Sequence, residues 1–542
     1  MDFTALLAQY SDKGKRGFNP IMKYGVLTYA NMRGIREIDR IVELCQRDLA
    51  FIWLTQGEHP KRDAFYDFIN KKLTPEVLDD LNYQLLRRLK REGLIALESL
   101  FIDGTKIEAN ANRYTFVWRG TLNYHLAGLL DTIDSLYTKY NALLEEHSYD
   151  EKYGFGNARM FIIEGVDKVR KIIAENRKRK LTKHKKLPNN SIIEIDSCSP
   201  LDILKLQKNL LAIADGEGIT FVSGKGKEKS EIQQLYEEFE ACGSRLMEYK
   251  ESFEIMGKDR NSYSKTDLEA TFMRMKDDHM MNGQLKAAYN VQIAVENYFI
   301  IHGYISNDRT DYNTLIPVVK KHIKAFGEVL KEVTADSGYC SEKNLLFLRE
   351  NYIESYIKLQ DHEQRKTRAY QENIGKYYNM TTRVFEDEHY YICHDGRELR
   401  YIRTEEKEME GYTQRLEVYG CADCSGCEHK AKCLYRYDPE KDADKNKVMK
   451  INERWEELKE NSHANIQSEK GILNRQIRSI QTEGHFGDIK ENDDFRRFNH
   501  RSSEKVYKEF MLYAIGRNIN KYHRFLCNKL QKFEGKKKEK IA

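Results

Sequence analysis

The stretch Leu100-Phe101-Ile102-Asp103-Gly104-Thr105-Lys106 is a short apolar run that ends on an acid and a glycine. It predicts a buried strand delivering Asp103 to the edge of a sheet, where a loop begins. An Asp-Gly pair by itself marks an ordinary turn just as well. A second copy shifts the balance. Val329 to Gly338 is again a short strand ending on an acid, Asp336, with a glycine two residues on. Between the two, Tyr289, Val291, Ile293 and Val295 alternate with polar residues. Glu296-Asn297 then turns the chain, and Phe299, Ile301 and Ile305 alternate back, which predicts a hairpin with one buried face. A helix follows with Leu315, Val319, Ile323 and Phe326 on one side. Ser341 caps another, and Tyr356 to Leu359 is a further strand. Strand, hairpin, strand and strand with helices between them give an α/β chain with a mixed sheet flanked by helices. Asp103 and Asp336 fall at strand ends, where such sheets place their chemistry.

Bulk composition narrows the partners. A chain of 542 residues should hold several domains. Its net charge is only +5, so nucleic-acid binding has to be argued from local clusters rather than from the whole. No signal peptide and no 18-residue apolar run is apparent, so a cytoplasmic, non-membrane protein is expected. Its 10 cysteines would then be reduced, and clustered ones suggest metal before disulfide.

Residues 1–95 read as helices. Tyr24 to Asn31 is apolar-periodic, and Met32-Arg33-Gly34 turns the chain. Ile35 to Leu54 continues, and His59-Pro60 opens a helix carrying Lys61 and Arg62. Thr74-Pro75 starts another, which ends on Arg87, Arg88, Lys90 and Arg91. Short helices, a tight turn and basic residues fit a helix-turn-helix DNA reader and a plain helical bundle equally. Residues 96–118 and 263–361 form two parts of the sheet domain. Between them, 119–262 reads as a helical insertion. Leu126, Leu129, Ile133, Leu136, Tyr140 and Leu143 repeat at heptad-like spacing, as do Ile232, Leu235, Phe239, Cys242, Leu246 and Tyr249. Two long helices packed as a hairpin are expected there. The basic run Lys168–Lys186, with Arg177 and Arg179, is a solvated face or a phosphate contact.

Residues 362–465 break the pattern and carry Cys393, Cys421, Cys424, Cys427 and Cys433. The spacing of the last four suggests zinc or iron–sulfur, with one Zn²⁺ on four thiolates preferred. Five cysteines do not fix which four would bind. Residues 466–530 carry Glu483 and Lys490, seven apart and hence on one helix face, and 531–542 is a basic tail. A surface acid–base pair would look the same. Three acids gain meaning together. Phosphodiester chemistry places charge on the phosphoryl group and on the attacking and leaving oxygens. Two Mg²⁺ (or Mn²⁺) ions about 3.5–4 Å apart neutralise it, and Mg²⁺ needs only a few carboxylates. Asp103, Asp336 and Glu483 would make that cage, and Lys490 would orient a phosphate.

Over nearly its whole length the chain resembles DDE-type transposases of bacterial insertion sequences. Phe18-Asn19-Pro20 through Arg33-Gly34-Ile35-Arg36 to Cys45 and Asp48 to Leu54 resembles their helical N-terminal domain. Phe101 to Lys106, Thr334 to Tyr339, and Glu483 to Lys490 followed by Phe495-Arg496-Arg497-Phe498 resemble their three acidic blocks. In the wider group tyrosine and arginine precede the glutamate and lysine lies seven after it. Here Ser479 stands at the arginine position, with Arg478 and Arg475 nearby as substitutes. The resemblance implies an RNase H-like catalytic fold. It implies binding of double-stranded DNA at terminal inverted repeats and at a target. It further implies metal-dependent cleavage with strand transfer by the freed 3′-hydroxyl, and a homodimer on paired ends. Lys61, Arg62, Arg177, Arg179, Arg478, Arg496 and Arg497 would contact DNA. Rival readings are a metal-dependent nuclease of the same fold that cuts without joining, and an inactive DNA-binding relic.

Overall fold

The computed structural model describes residues 1–10, 17–155, 199–224, 226–257, 260–275, 284–385, 388–409 and 411–539. The basic run with Arg177 and Arg179 lies outside them. The chain divides into two compact units, Met1–Ile107 with Asn290–Ala542, and Glu108–Tyr289. No helix among the described residues is long and apolar enough to cross a membrane.

In the first unit the N-terminal helices follow their caps. The Asn19 side chain accepts from Ile21 N at 2.8 Å and starts Pro20–Met32. The expected helix Ile35–Leu54 is instead two, Ile38–Arg47 and Leu49–Leu54. Asp48 adopts an extended conformation between them and accepts from Ala50 N at 2.9 Å, so one acid restarts the chain as a new helix. Arg62–Asp67 runs into a π turn, Phe68–Lys72. Thr74 then caps Pro75–Arg91 through Val77 N at 3.3 Å, with proline at the first position. The C-terminal helix Ser503–Glu539 crosses Pro20–Met32 at Gly516. A Cβ there would lie 2.8 Å from the Asn31 carbonyl carbon, so the backbones approach as only glycine permits.

Strands in chain order are β1 (Ser99–Glu108), β2 (Phe116–Trp118), β3 (Ser262–Ser264), β4 (Thr271–Arg274), β5 (Leu285–Glu296), β6 (Phe299–Ser306), β7 (Glu332–Ala335) and β8 (Glu354–Ile357). In the first unit they form a mixed sheet. β6 pairs with β5, and the order continues β5, β1, β7, β8, with β1 parallel to β7 and β7 parallel to β8. Helices flank it. Asn82, buried on Pro75–Arg91, donates to Ile301 O at 3.1 Å, and Ser462, on Glu453–Gln467, donates to Ile357 O at 2.9 Å. The core includes Leu85, Leu89, Leu100, Ile102, Ile301, Val319, Val333, Leu345 and Ile357. The hairpin turns at Asn297-Tyr298, both at positive φ, one residue later than the sequence suggested. Its single buried face is also corrected. Asn290 and Gln292, on the polar side of the alternation, are 2% and 0% exposed, because this sheet is covered on both faces.

The cysteine segment contains a second sheet that the sequence did not announce. β9 (Thr381–Phe385), β10 (Glu388–Ile392), β11 (Glu398–Met409), β12 (Tyr412–Cys421) and β13 (Val448–Ile451) pair antiparallel in chain order. A small core of Tyr391, Leu399, Tyr419, Cys421, Met449 and Ile451 backs it.

In the second unit, helices Arg119–Glu146, Pro200–Gly216 and Glu231–Met256 pack around Leu126, Ile133, Tyr140, Leu210, Leu235, Phe239 and Leu246. Both heptad-like helices therefore form, joined by a third. β2 pairs with β3, and β4 with the first residues of β5.

Histidine burial makes the first unit sensitive to acid. His302 Nε2 and His322 Nδ1 are 3.0 Å apart, and His322 Nε2 meets Leu97 O at 3.0 Å. Burial holds His322 down to about 4 and does the same for His485 and His500. Burial and then the neighbouring His322 put His302 well below the usual range. The unfolded chain regains ordinary histidines near 6.5. From there down to about pH 4 it takes up protons that the folded chain refuses. Stability therefore falls as pH falls, by about 1.4 kcal/mol per pH unit for each ring. The melting temperature is expected to decline steadily from about pH 7 to about pH 5; a flat profile would mean that these rings are charged in the fold.

Candidate active site

β1 and β7 run parallel with Phe101 beside Thr334. Asp103, on β1, and Asp336, just past the end of β7, each stand two residues beyond that pair. β1 does not end at Asp103, as the sequence suggested, but continues to Glu108. It outruns the shorter β7, and Asp103 sits where that pairing stops. Gly104 N donates to Asp103 Oδ1 at 2.8 Å. Asp336 terminates β7 because its Oδ1 accepts from Gly338 N at 2.8 Å, capping the short 3₁₀ turn Ser337–Tyr339.

Asp311, a carboxylate the sequence reading did not single out, lies near both. Its Oδ1 accepts from Asn290 Nδ2 and Gln292 Nε2, both at 2.8 Å. A methyl group on Gly338 would sit 3.1 Å from Asp336 Oδ1 and 3.4 Å from Asp311 Oδ2. One on Gly104 would sit 2.6 Å from Asp311 Oδ1. Both glycines thus leave room that the acids need. The buried Tyr339 hydroxyl donates to Gln292 Oε1. Burial raises its phenol well above the usual range; the charges of Asp311, Asp103 and Asp336 add to this, and Arg478 opposes them. Asp311 escaped the sequence reading because it lies in a loop without a strand to deliver it. The signal that could have found it is the buried amide pair Asn290 and Gln292 on β5.

The glutamate block approaches from the other side. Helix Glu469–Arg478 passes through a π turn, Ser479–Glu483, a helical turn, Gly484–Gly487, and a second π turn, Asp488–Asn492. Arg478 Nη1 donates to Asp103 Oδ2 at 2.8 Å and Thr482 Oγ1 to the same oxygen at 3.1 Å. Glu483 itself is exposed, while Lys490 is buried. The two therefore differ in exposure, and the stretch between them includes part of a π turn, which takes more residues per turn than the α-helix assumed for a seven-residue spacing.

The remaining sites differ in surroundings. Lys61 is exposed, and Arg62, 60% exposed, lies 3.4 Å from Asp39. Arg496 pairs with Glu491 at 2.7 Å, and Arg497 is exposed. Cys421 ends β12, and its thiol, pushed up to about 11 by burial, donates to Asp423 O at 3.2 Å. Cys424 Sγ accepts from Lys447 N at 3.3 Å. Cys427 follows in the loop, and Cys433 closes the helical turn Lys430–Cys433. Among the described residues no group of three or more His, Cys, Asp or Glu side chains could hold a metal ion. No role for zinc is therefore derived for Cys421, Cys424, Cys427 and Cys433.

Residues 392–523 match the family model described as Transposase DDE domain, and residues 1–71 match the Transposase domain (DUF772). These matches support a DDE-type transposase. No curated protein and no solved structure matches the chain. The first match takes in the four clustered cysteines and the Glu483 block of this chain; Asp103 and Asp336 lie outside it. The displaced arginine also acquires a structural explanation. Arg478 is one residue further upstream than the group's pattern, and the π turn between it and Glu483 absorbs one extra residue. Arg478 rather than Arg475 then reaches Asp103.

Proposed function

We propose that this transposase cuts double-stranded DNA at the terminal inverted repeats of its element and joins the freed 3′-hydroxyl to target DNA. The core would be RNase H-like, with Asp103, Asp336 and Glu483 as its reacting-site carboxylates. The position of Asp103 on β1 and of Asp336 just past the end of its parallel neighbour β7 supports the reading. Arg478 and Thr482, from the glutamate block, support it by bonding Asp103.

The donor chemistry fits magnesium, since all three groups offer hard carboxylate oxygens. Two such ions, when bound, supply charge neutralisation at the attacking and leaving oxygens. The protein's own part is to hold the phosphodiester in line between the strand tips and the glutamate block, a positioning task. Asn290 and Gln292 fix Asp311 beside the site, and Gly104 and Gly338 keep the approach to it open. Lys490 would steady a phosphate as a point charge. Lys61, Arg62, Arg496 and Arg497, with Arg177 and Arg179, would contact the DNA backbone, and two copies would hold paired ends.

The test is incubation of the full chain and magnesium with a duplex carrying the element's ends and a second duplex as target. Nicked ends and joined products are expected. Nicks without joined products would mean a nuclease, and end binding without nicks an inactive relic.

A further inference from the structure

Asp103 is engaged in a way that a metal ligand can ill afford. Its Oδ1 takes the Gly104 N–H, and its Oδ2 takes the Arg478 guanidinium and lies 3.1 Å from the Thr482 hydroxyl, whose one proton has its shorter contact, 2.8 Å, to Arg478 O. The ion pair is well enclosed, with the Arg478 side chain 16% and the Asp103 side chain 10% exposed. A charge-assisted bond shielded from water is among the strong ones, and a divalent cation would have to displace it.

We propose that Arg478 is a substrate-operated latch: it occupies Asp103 and keeps a divalent cation off it until a DNA phosphate draws the guanidinium away. The chemistry favours such an exchange. Arginine's planar fork binds a phosphate as readily as a carboxylate. Arg478 leads directly into the π turn that ends at Glu483, so the two residues are one π turn apart in the chain. Once it leaves, the charges of Asp103, Asp336 and Asp311, all of which act on the buried Tyr339, lose that cation. Close like charges disfavour one another, which raises the demand for a metal there. Metal uptake is then coupled to DNA arrival, and by linkage the metal tightens DNA binding by the same factor. An enzyme so arranged carries no loaded centre away from its substrate.

The inference rests on Asp103 being a metal ligand, and the experiment separates the two claims. Mn²⁺ binding to the full chain would be followed by the loss of the free-ion paramagnetic resonance signal, with and without a short DNA duplex of arbitrary sequence. In the unaltered protein DNA is expected to tighten Mn²⁺ binding on the order of tenfold. Arg478→Gln is expected to bind Mn²⁺ without DNA about as tightly as the unaltered protein does with it, and to gain little more from DNA. Arg478→Lys keeps the charge but loses the fork, so it should fall between; it serves if the glutamine variant does not fold. An Mn²⁺ affinity unchanged in both variants, or unmoved by DNA in the unaltered chain, overturns the latch. Asp103→Asn is expected to lose the site altogether. If it binds Mn²⁺ as the unaltered chain does, the metal assignment of Asp103 fails, and the latch with it.

Discussion

Asp336→Asn should leave the protein folded and able to bind DNA while abolishing cleavage. Asparagine is nearly isosteric with aspartate, and its Oδ1 can still accept the Gly338 N–H that caps the turn after β7. The local backbone therefore has no reason to move. What disappears is one negative charge, just past the end of the strand that pairs with the one carrying Asp103. Carboxylates at such a centre are worth several kcal/mol of transition-state stabilisation, which corresponds to about a thousandfold or more in rate. DNA binding, carried by phosphate contacts elsewhere, should change less than about threefold. Cleavage would be read by gel on a labelled duplex carrying the element's ends, and binding by mobility shift on the same duplex. Residual cleavage above about a tenth of normal would remove Asp336 from the centre. Lost binding with lost cleavage would instead show that the loop 336–339 shapes a DNA surface. Asp311→Asn is the useful companion. It keeps an oxygen for Asn290 and Gln292 but loses the charge beside Asp336, so its effect shows whether the fourth acid shares the chemistry or only holds the strand.

The parts of this chain that could be read in advance are those where burial is one-sided or where a cap names itself. Asp103 and Asp336 each follow a short apolar run that is buried continuously, so the end of the run marks them in the sequence. Thr74-Pro75, Ser341 and the two heptad-like helices of the second unit were legible for the same reason. The second sheet was not. β11 and β12 pair from Leu399 beside Cys421 to Met409 beside Tyr412, yet most of β11 is exposed and carries Arg, Glu and Lys on both faces. Its pairing is held by backbone bonds along the antiparallel register, which leave no hydrophobic period to detect. The π turns flanking Gly484–Gly487 were invisible too, because they follow from packing and not from residue type. They decide the site all the same. An α-helical count puts Ser479 where an arginine is wanted, while the true winding turns Arg478 onto Asp103. Asp311 was missed because its position depends on two amides on a strand whose polar side was assigned to solvent.

Glu509→Ala should be among the most destabilising single changes in the first unit, at about 3–5 kcal/mol. Glu509 is nearly fully buried on the C-terminal helix, and burial raises its carboxyl above the usual range even though Arg36 opposes that. It accepts from Arg36 Nη1 at 2.8 Å, from Asn499 N at 3.0 Å and from His500 N at 3.1 Å. Arg36 lies over the Phe495 ring at 3.6 Å and also reaches the carbonyls of Asp494 and Arg497. One buried ion pair thereby ties the N-terminal helices to the loop that follows Lys490. Removing only the acid strands a guanidinium and two backbone N–H groups away from water, and each of these has its own desolvation cost. Removing both partners by Arg36→Met with Glu509→Leu deletes the charges together. If the ion pair is the main term, the double variant should recover more than half of the loss, measured as the shift in urea midpoint. A double variant no better than Glu509→Ala would place the cost on Asn499 and His500, whose N–H groups no hydrocarbon can satisfy. In that case the loop 494–500 is held chiefly by this carboxylate, and Glu509→Gln, which keeps an acceptor oxygen, should be the milder change.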